Sequence, residues 1–198
     1  LSNVLYSEDI LFPIADFYLK KERWNEAIEV YEEMETIGAL QGRGAEYYQK
    51  LGYALQKNKK YAEAIDAYLK ADTLKPDNIW NNRHLAICYR LNRNYQAALS
   101  YYKKVEEATP EDTNVIFHIG SCLAELGQYE EAANYFFKLD FIESNCIKAW
   151  RGIGWCSFIS RKYEQAMKYY EKIIEQKPLA IDYMNAGHVA WTMGDIQK

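Results

Sequence analysis

Apolar residues recur along the chain with the spacing of an amphipathic α-helix. In one segment they are Tyr61, Ala64, Ile65, Tyr68 and Ala71. The intervals between them place all five on one face of a helix, and the alternation typical of a strand is absent. Similar segments separated by short polar turns follow one another through the sequence, so the pattern predicts an all-α fold.

The helical segments repeat with a period of 34 residues, which is the distance from Pro76 to Pro110. In the windows 45–78, 79–112, 113–146 and 147–179 the same residue types recur in three columns: Tyr61, Tyr95, Tyr129 and Tyr163; then Ala64, Ala98, Ala132 and Ala166; then Tyr68, Tyr102, Phe136 and Tyr170. A divergent copy covers 8–41, with Trp24, Ala27 and Tyr31 in these columns. A sixth copy begins at 180 and runs to 198 as a first helix only.

These columns resemble the tetratricopeptide repeat, a helix–turn–helix unit of 34 residues with a large–x–x–Leu–Gly–x–x–Tyr pattern followed by Ala, Phe and Pro. Apolar–small pairs such as Leu51-Gly52 and Ile153-Gly154 add to the likeness. The resemblance implies a right-handed α-solenoid of about five and a half repeats. Only residues 1–7 and the insertion Gly42-Arg43-Gly44 fall outside the pattern.

The columns have a physical meaning. Small alanine and glycine side chains allow two helices to approach closely, and tyrosine rings fill the space that remains, so most of the 18 tyrosines are expected in the core. Between the paired helices we expect Asn58, Asn92 and Gly127 to take the left-handed backbone conformation that ends a helix. Prolines after the second helices stop them.

Composition and charge narrow the function classes. Of 198 residues 49% are hydrophobic and 26% charged, which excludes disordered and low-complexity chains. The 24 basic and 28 acidic residues give a formal charge of −4, so binding to nucleic acid through phosphate contacts is disfavoured. No apolar stretch reaches the roughly 20 residues of a membrane span. Sparse cysteines favour a reducing compartment such as the cytoplasm, and the localisation is otherwise left open.

Neither the cysteines nor the histidines predict a reaction centre. Cys88, Cys122 and Cys156 share one column, as do His84 and His118, and stacked repeats hold such residues about 10 Å apart, too far for one metal or a disulfide. We expect the three cysteines to be buried small hydrophobes and Cys146 to be a lone thiol. No nucleophile, zinc-protease or nucleotide motif occurs, so we predict neither catalysis, nor a metal, nor a cofactor.

The resemblance implies that defined positions of each first helix line a concave groove. In the second to fifth copies these positions hold six basic and two acidic residues, which predicts a basic groove: Lys50, Lys57, Arg83, Arg90, Lys148 and Arg151 against Glu46 and Glu125. Aromatic rings beside arginines are typical of interface hot spots. The predicted peptide-binding residues are Trp80, Arg83, His84, Arg90, Phe117, His118, Arg151, Trp155, Phe158, Met184, His188 and Trp191.

The residues therefore favour a protein-interaction scaffold that binds a peptide segment or a partner helix of acidic or aromatic character. A carboxylate clamp known in some family members is missing, because its five positions in the second to fourth windows read Gln49, Tyr53, His84, Asn114 and His118. The alternatives are a regulatory segment of a larger enzyme, a secretion-type chaperone, and an RNA-binding helical repeat. Since repeat arrays need polar caps, we also expect a longer parent protein and self-association through an exposed C-terminal helix.

Overall fold

The computed structural model describes residues 8–38 and 43–194. Within these residues the chain forms α-helices and no strands, which confirms the predicted all-α class. The helices are α1 Glu8–Lys20, α2 Trp24–Thr36, α3 Gly44–Lys57, α4 Tyr61–Leu74, α5 Ile79–Leu91, α6 Tyr95–Ala108, α7 Thr113–Glu125, α8 Tyr129–Ile142, α9 Ile147–Ile159, α10 Tyr163–Ile174 and α11 Ala180–Thr192.

The helices belong to two compact units, Leu1–Tyr101 and Tyr102–Lys198. In each unit consecutive helices pack on one another, from α1 to α5 in the first and from α7 to α11 in the second. Odd-numbered helices are the first helices of the repeats and even-numbered helices are the second. Gly44 belongs to α3 rather than to the predicted insertion. The predicted ends of the first and sixth repeats, at 39–41 and 195–198, lie outside the described residues, as does Gly42.

The alanine and ring columns form the contact between paired helices. The column alanines are fully buried, and the rings of the last column are at most 3% exposed. Glycines on the first helices make room for these rings: a Cβ atom at Gly52 would lie 2.8 Å from the Tyr68 ring, and one at Gly154 would lie 3.1 Å from that of Tyr170. The small-residue column therefore receives the aromatic column, as the sequence predicts.

A second contact joins successive repeats in unit 1. The Tyr47 hydroxyl donates a hydrogen bond of 2.7 Å to the carbonyl oxygen of Tyr31, and the Asn81 side-chain amide donates one of 3.0 Å to that of Tyr68. Both donors are buried on a first helix, and both acceptors belong to the ring column of the preceding second helix. Different side chains thus perform the same cross-repeat function.

The turns within the repeats correct one prediction. Gly127 has a φ of +78°, as expected, but Asn58 and Asn92 have negative φ values of −79° and −85°. The left-handed residues there are Lys59 and Arg93, at +63° and +61°. The asparagines occupy the last near-helical position, and the residue after them reverses the chain.

Candidate peptide-binding surfaces

In unit 1, the predicted groove residues Trp80 and His84 lie on α5 beside Tyr53 and Lys57 of α3. The ring centroids of Trp80 and His84 are 4.0 Å apart, and that of Tyr53 lies 6.2 Å and 5.6 Å from them. The Lys57 ammonium stands 5.3 Å from the centre of the Tyr53 ring. We call these four side chains the unit 1 surface. Because Trp80 is 42% exposed, this surface presents an aromatic ring to solvent.

His84 has a structural role in this surface. Its Nδ1 lies 2.8 Å from the Gln56 side-chain oxygen, which also accepts a hydrogen bond from the Tyr68 hydroxyl, and the imidazole stacks on the Tyr68 ring. Burial lowers the pKa of His84 to about 4, and the charges of Lys57 and Arg83 lower it further. The side chain is therefore neutral at physiological pH and holds the aromatic cluster in place.

The basic residues at the predicted groove positions of unit 1 include two half-buried arginines and an ion-paired lysine. Arg83 and Arg90 are half-buried on α5. Lys50 forms ion pairs with Asp16 at 2.8 Å and with Glu46 at 2.9 Å. The count of charged residues at the groove positions of the second to fifth repeats included Glu46 but not Asp16, which lies in the first repeat. The positive charge of Lys50 is consequently balanced within the protein.

In unit 2, the first helices α7 and α9 enclose an open cavity of about 620 Å³, with α8 beneath it. We call this cavity the unit 2 trough. Its lining residues are Phe117, Ser121, Ala124 and Glu125 of α7, Tyr129 and Phe136 of α8, and Lys148, Arg151, Gly152 and Trp155 of α9. Four predicted site residues or groove cations therefore meet in one place, namely Phe117, Lys148, Arg151 and Trp155.

Aromatic rings form the floor and one wall of the unit 2 trough. Phe136 is 3% exposed and packs against both neighbouring first helices, where Gly120 and Gly152 leave room for its ring. Trp155 is 43% exposed and borders Phe158, with ring centroids 6.3 Å apart. The trough therefore offers a buried apolar floor and an accessible indole.

The two cations of the trough differ in their partners. Arg151 binds Asp182 through two parallel hydrogen bonds of 2.8 Å and 2.7 Å, and the Asp182 side chain is 1% exposed. The guanidinium, together with the backbone N–H of Leu179, holds the pKa of Asp182 below its ordinary value. Lys148 has a longer contact of 3.5 Å with Glu143, and both side chains are more than a third exposed. Arg151 therefore anchors α11, whereas Lys148 is held weakly.

The remaining predicted site residues do not join these two surfaces. His118 stacks on Tyr102 and meets the Phe117 ring edge-on, both at centroid distances of 5.5 Å, but it does not itself line the trough. Met184, His188 and Trp191 lie on α11, where all three are exposed, Trp191 to 74%. The exposed face of α11 is thus a separate feature.

Within residues 8–38 and 43–194, no group of three or more His, Cys, Asp or Glu side chains is arranged to hold a metal ion. The four cysteines are buried and form no disulfide; burial was expected for Cys88, Cys122 and Cys156 from their shared column. Burial raises the pKa of Cys88 to about 12 and that of Cys156 to about 11. In the part of the chain that the structure describes, no helix combines the length and the apolar character that crossing a bilayer requires.

Tetratricopeptide-repeat family models match residues 11–41, 45–78, 90–156 and 147–178, and so cover most of the chain. The chain belongs to the tetratricopeptide repeat family. It is accordingly a helical-repeat protein of the protein-binding scaffold class. A search of curated protein sequences returns no match.

Solved structures share the fold at low sequence identity. A tetratricopeptide repeat protein from Parabacteroides merdae has a TM-score of 0.78 and 18% identity, over 95% of this chain and 74% of its own. YrrB, described as a repeat protein with an unusual peptide-binding site, has a TM-score of 0.79 and 21% identity, over 90% and 91%. MamA from Desulfovibrio magneticus has a TM-score of 0.76 and 18% identity, over 86% and 97%.

Sequence reasoning did not identify the carboxylate that pairs with Arg151. Asp182 lies at the third position of the sixth repeat, where earlier repeats carry buried residues such as Tyr47 and Ala149. A carboxylate at a buried position needs a cationic partner. Arg151, on the preceding first helix, was a candidate partner within one repeat. A carboxylate at a buried repeat position could therefore have indicated this ion pair, but a count of charges at the groove positions does not include that position.

Proposed function

We propose that this protein binds an extended peptide segment or a partner helix on the exposed faces of its first helices. The observation that carries the proposal is the unit 2 trough, where an accessible indole, an apolar floor and a loosely held ammonium group lie together. Tryptophan is one of the residue types that dominate the energetics of protein interfaces. Peptide binding by the structurally similar YrrB is consistent with the proposal.

The exposed rings carry the second argument. Trp80 and Trp155 are each more than 40% exposed, whereas Leu85 and Ile153 on the same two helices are fully buried. Covering such rings removes apolar surface from water at small cost in side-chain entropy. The unit 1 surface and the unit 2 trough are therefore two places where a partner gains binding free energy, and no catalytic role is part of this proposal.

The nearby cations define the partner's chemistry. Lys57 contacts a ring in unit 1, and Lys148 stands 5.8 Å from the centre of the Phe117 ring in unit 2. A partner with aromatic or aliphatic side chains and an acidic group fits both surfaces. We expect the bound segment to be of this type rather than a nucleic acid.

An affinity capture with matched variants tests the proposal. Wild type, Trp80→Ala/Trp155→Ala and Phe141→Ala are compared for specific partners by quantitative mass spectrometry and then with the purified partner. Phe141 is 89% exposed on a second helix, so its variant removes an exposed ring away from the proposed surfaces. We expect the double variant to lose binding at least tenfold and the Phe141 variant to retain it. Equal binding by all three proteins would contradict the proposal.

We also propose self-association through the exposed face of α11. Tyr183, Met184 and Trp191 are each at least 50% exposed there. A Cβ atom at Gly187 would meet nothing within 4 Å, unlike one at Gly154 of α9. Light scattering over a concentration series should show dimers for wild type and monomers for Trp191→Glu. A wild-type monomer at the highest concentration would refute this part of the proposal.

A further inference from the structure

The two ends of the unit 2 trough carry side chains of opposite charge. α7 and α9 are separated by one antiparallel helix and therefore run in the same direction. Lys148 lies near the start of α9 and faces Phe117 near the start of α7. Glu125 is the last residue of α7 and lines the other end of the trough. A cation thus stands at one end and an exposed carboxylate at the other.

The helix ends reinforce this polarity. The N-termini of both first helices lie at the Lys148 end, where their macrodipoles are positive, and the C-termini lie at the Glu125 end. An acidic group of a partner is therefore favoured at the first end and a basic group at the second. The charges at the groove positions in the sequence predicted a basic groove, whereas the unit 2 trough is basic at one end and acidic at the other.

Lys148, not Arg151, is the cation that a partner carboxylate meets. Recruiting Arg151 would leave the carboxylate of Asp182, 1% exposed, without its guanidinium partner, and uncompensated buried charge is strongly destabilising. The contact of Lys148 with Glu143 is 3.5 Å long and solvent-exposed, and such pairs contribute little to stability. Exchange of Glu143 for a partner carboxylate costs correspondingly little.

Rings occupy the space between the charged ends. Phe117 and Trp155 border it, and Phe136 forms its floor against Gly152. Phe117, which Lys148 faces, and Glu125 are eight positions apart on α7, which corresponds to about 12 Å. An extended chain covers that distance in roughly three to four residues. An acidic and a basic side chain separated by this interval, with an apolar residue between them, match the trough.

We infer that the unit 2 trough binds an extended segment of mixed charge, with Asp or Glu at the Lys148 end, an aromatic residue in the middle and Lys or Arg at the Glu125 end. This inference rests on the proposed peptide-binding function and specifies the partner of that same site. It predicts selection for opposite charges rather than for uniformly acidic segments.

Three fluorescein-labelled probe peptides test the inference by fluorescence polarisation at low salt. They contain Asp-Ser-Phe-Ser-Lys, Asp-Ser-Phe-Ser-Asp or Lys-Ser-Phe-Ser-Lys between identical flanks. Wild type should bind the mixed probe about fivefold more tightly than either of the others. Glu125→Lys should instead prefer the acidic probe, and Lys148→Glu the basic probe. Glu111→Lys, an exposed change in the loop before α7, is the control and should keep the wild-type order.

The outcomes separate this inference from the proposed function. If binding depends on Trp155 but wild type prefers the acidic probe, or if the charge variants leave the order unchanged, the inference is wrong and the proposed function stands. If no probe binds, or if Trp155→Ala leaves all binding unchanged, both are overturned. The expected switch of preference supports both.

Discussion

Replacing Gly152 with alanine tests the packing of the unit 2 trough directly. The added Cβ would lie 2.5 Å from Cδ2 of Phe136 and 2.6 Å from its Cγ and Cε2. The ring has little freedom to move away, because a Cβ at Gly120 on the opposite helix would already lie 2.9 Å from Cε1 of the same ring. Phe136 is thus held between two glycines.

The magnitude follows from two opposing effects. Overpacking of a buried site costs about 1–3 kcal/mol. Alanine in place of glycine within a helix contributes about 1 kcal/mol of stabilisation. Gly187→Ala isolates the second effect, because its Cβ meets nothing within 4 Å. We therefore expect Gly152→Ala to be about 2 kcal/mol less stable than Gly187→Ala.

Urea unfolding followed by far-UV circular dichroism measures this difference, provided that the slope of the transition is the same for both variants. Phe136→Leu serves as a second-site variant: combined with Gly152→Ala it should lose less stability than the sum of the single changes, because the smaller side chain relieves the clash. If Gly152→Ala proves as stable as Gly187→Ala, or if the two changes are simply additive, the packing argument is wrong.

Three other predictions follow from charged and titratable groups. Asp182→Asn should lower the free energy of unfolding by about 2 kcal/mol and speed proteolysis within α11, because the Arg151 guanidinium loses its carboxylate partner. Glu164→Gln, a change at an exposed residue, is the control and should alter neither the free energy of unfolding nor the rate of proteolysis. The pKa of His84 is about 4 in the folded protein, below the ordinary 6.5, so the stability that neutral His84 contributes is fully present above pH 6.5 and is lost as the pH falls toward 4. Between pH 7.5 and 5, the free energy of unfolding of wild type should therefore fall by about 2 kcal/mol more than that of His84→Gln. Equal losses would exclude this coupling. Since burial raises the pKa of Cys88 to about 12 and of Cys156 to about 11, a thiol reagent at pH 8 should label them only in denaturant, and rapid native labelling would contradict their burial.

The repeat period was sufficient to predict the core. Alanines recur every 34 residues, as do the rings four positions after them, which indicates a repeating pair of helices, and residues such as Ala64 and Tyr68 are buried as expected. Burial of this kind depends on local periodicity, which the sequence displays. Trp155, which the sequence analysis assigned to the groove, is 43% exposed, and its role in binding stays a prediction.

The charge of the candidate surfaces was less predictable. Asp16 and Asp182 each neutralise a basic residue that the position count treated as available to a partner, Lys50 and Arg151 respectively. Ion pairs between repeats depend on side-chain geometry across neighbouring helices, and this geometry does not follow from the columns of a single repeat. Counting formal charges along the sequence therefore overestimates the positive character of the surface.

The turns inside the repeats allow thermal tolerance to change without affecting recognition. Glu22, Lys59, Arg93 and Arg161 adopt the left-handed backbone that Gly127 also adopts at the equivalent position. For a residue with a Cβ, that conformation costs roughly 1–2 kcal/mol. Exchange for glycine at each turn relieves this cost, because glycine adopts a positive φ without a Cβ clash. Evolution or engineering can therefore raise the melting temperature of this scaffold through its turns, while the aromatic surfaces that meet a partner keep their composition.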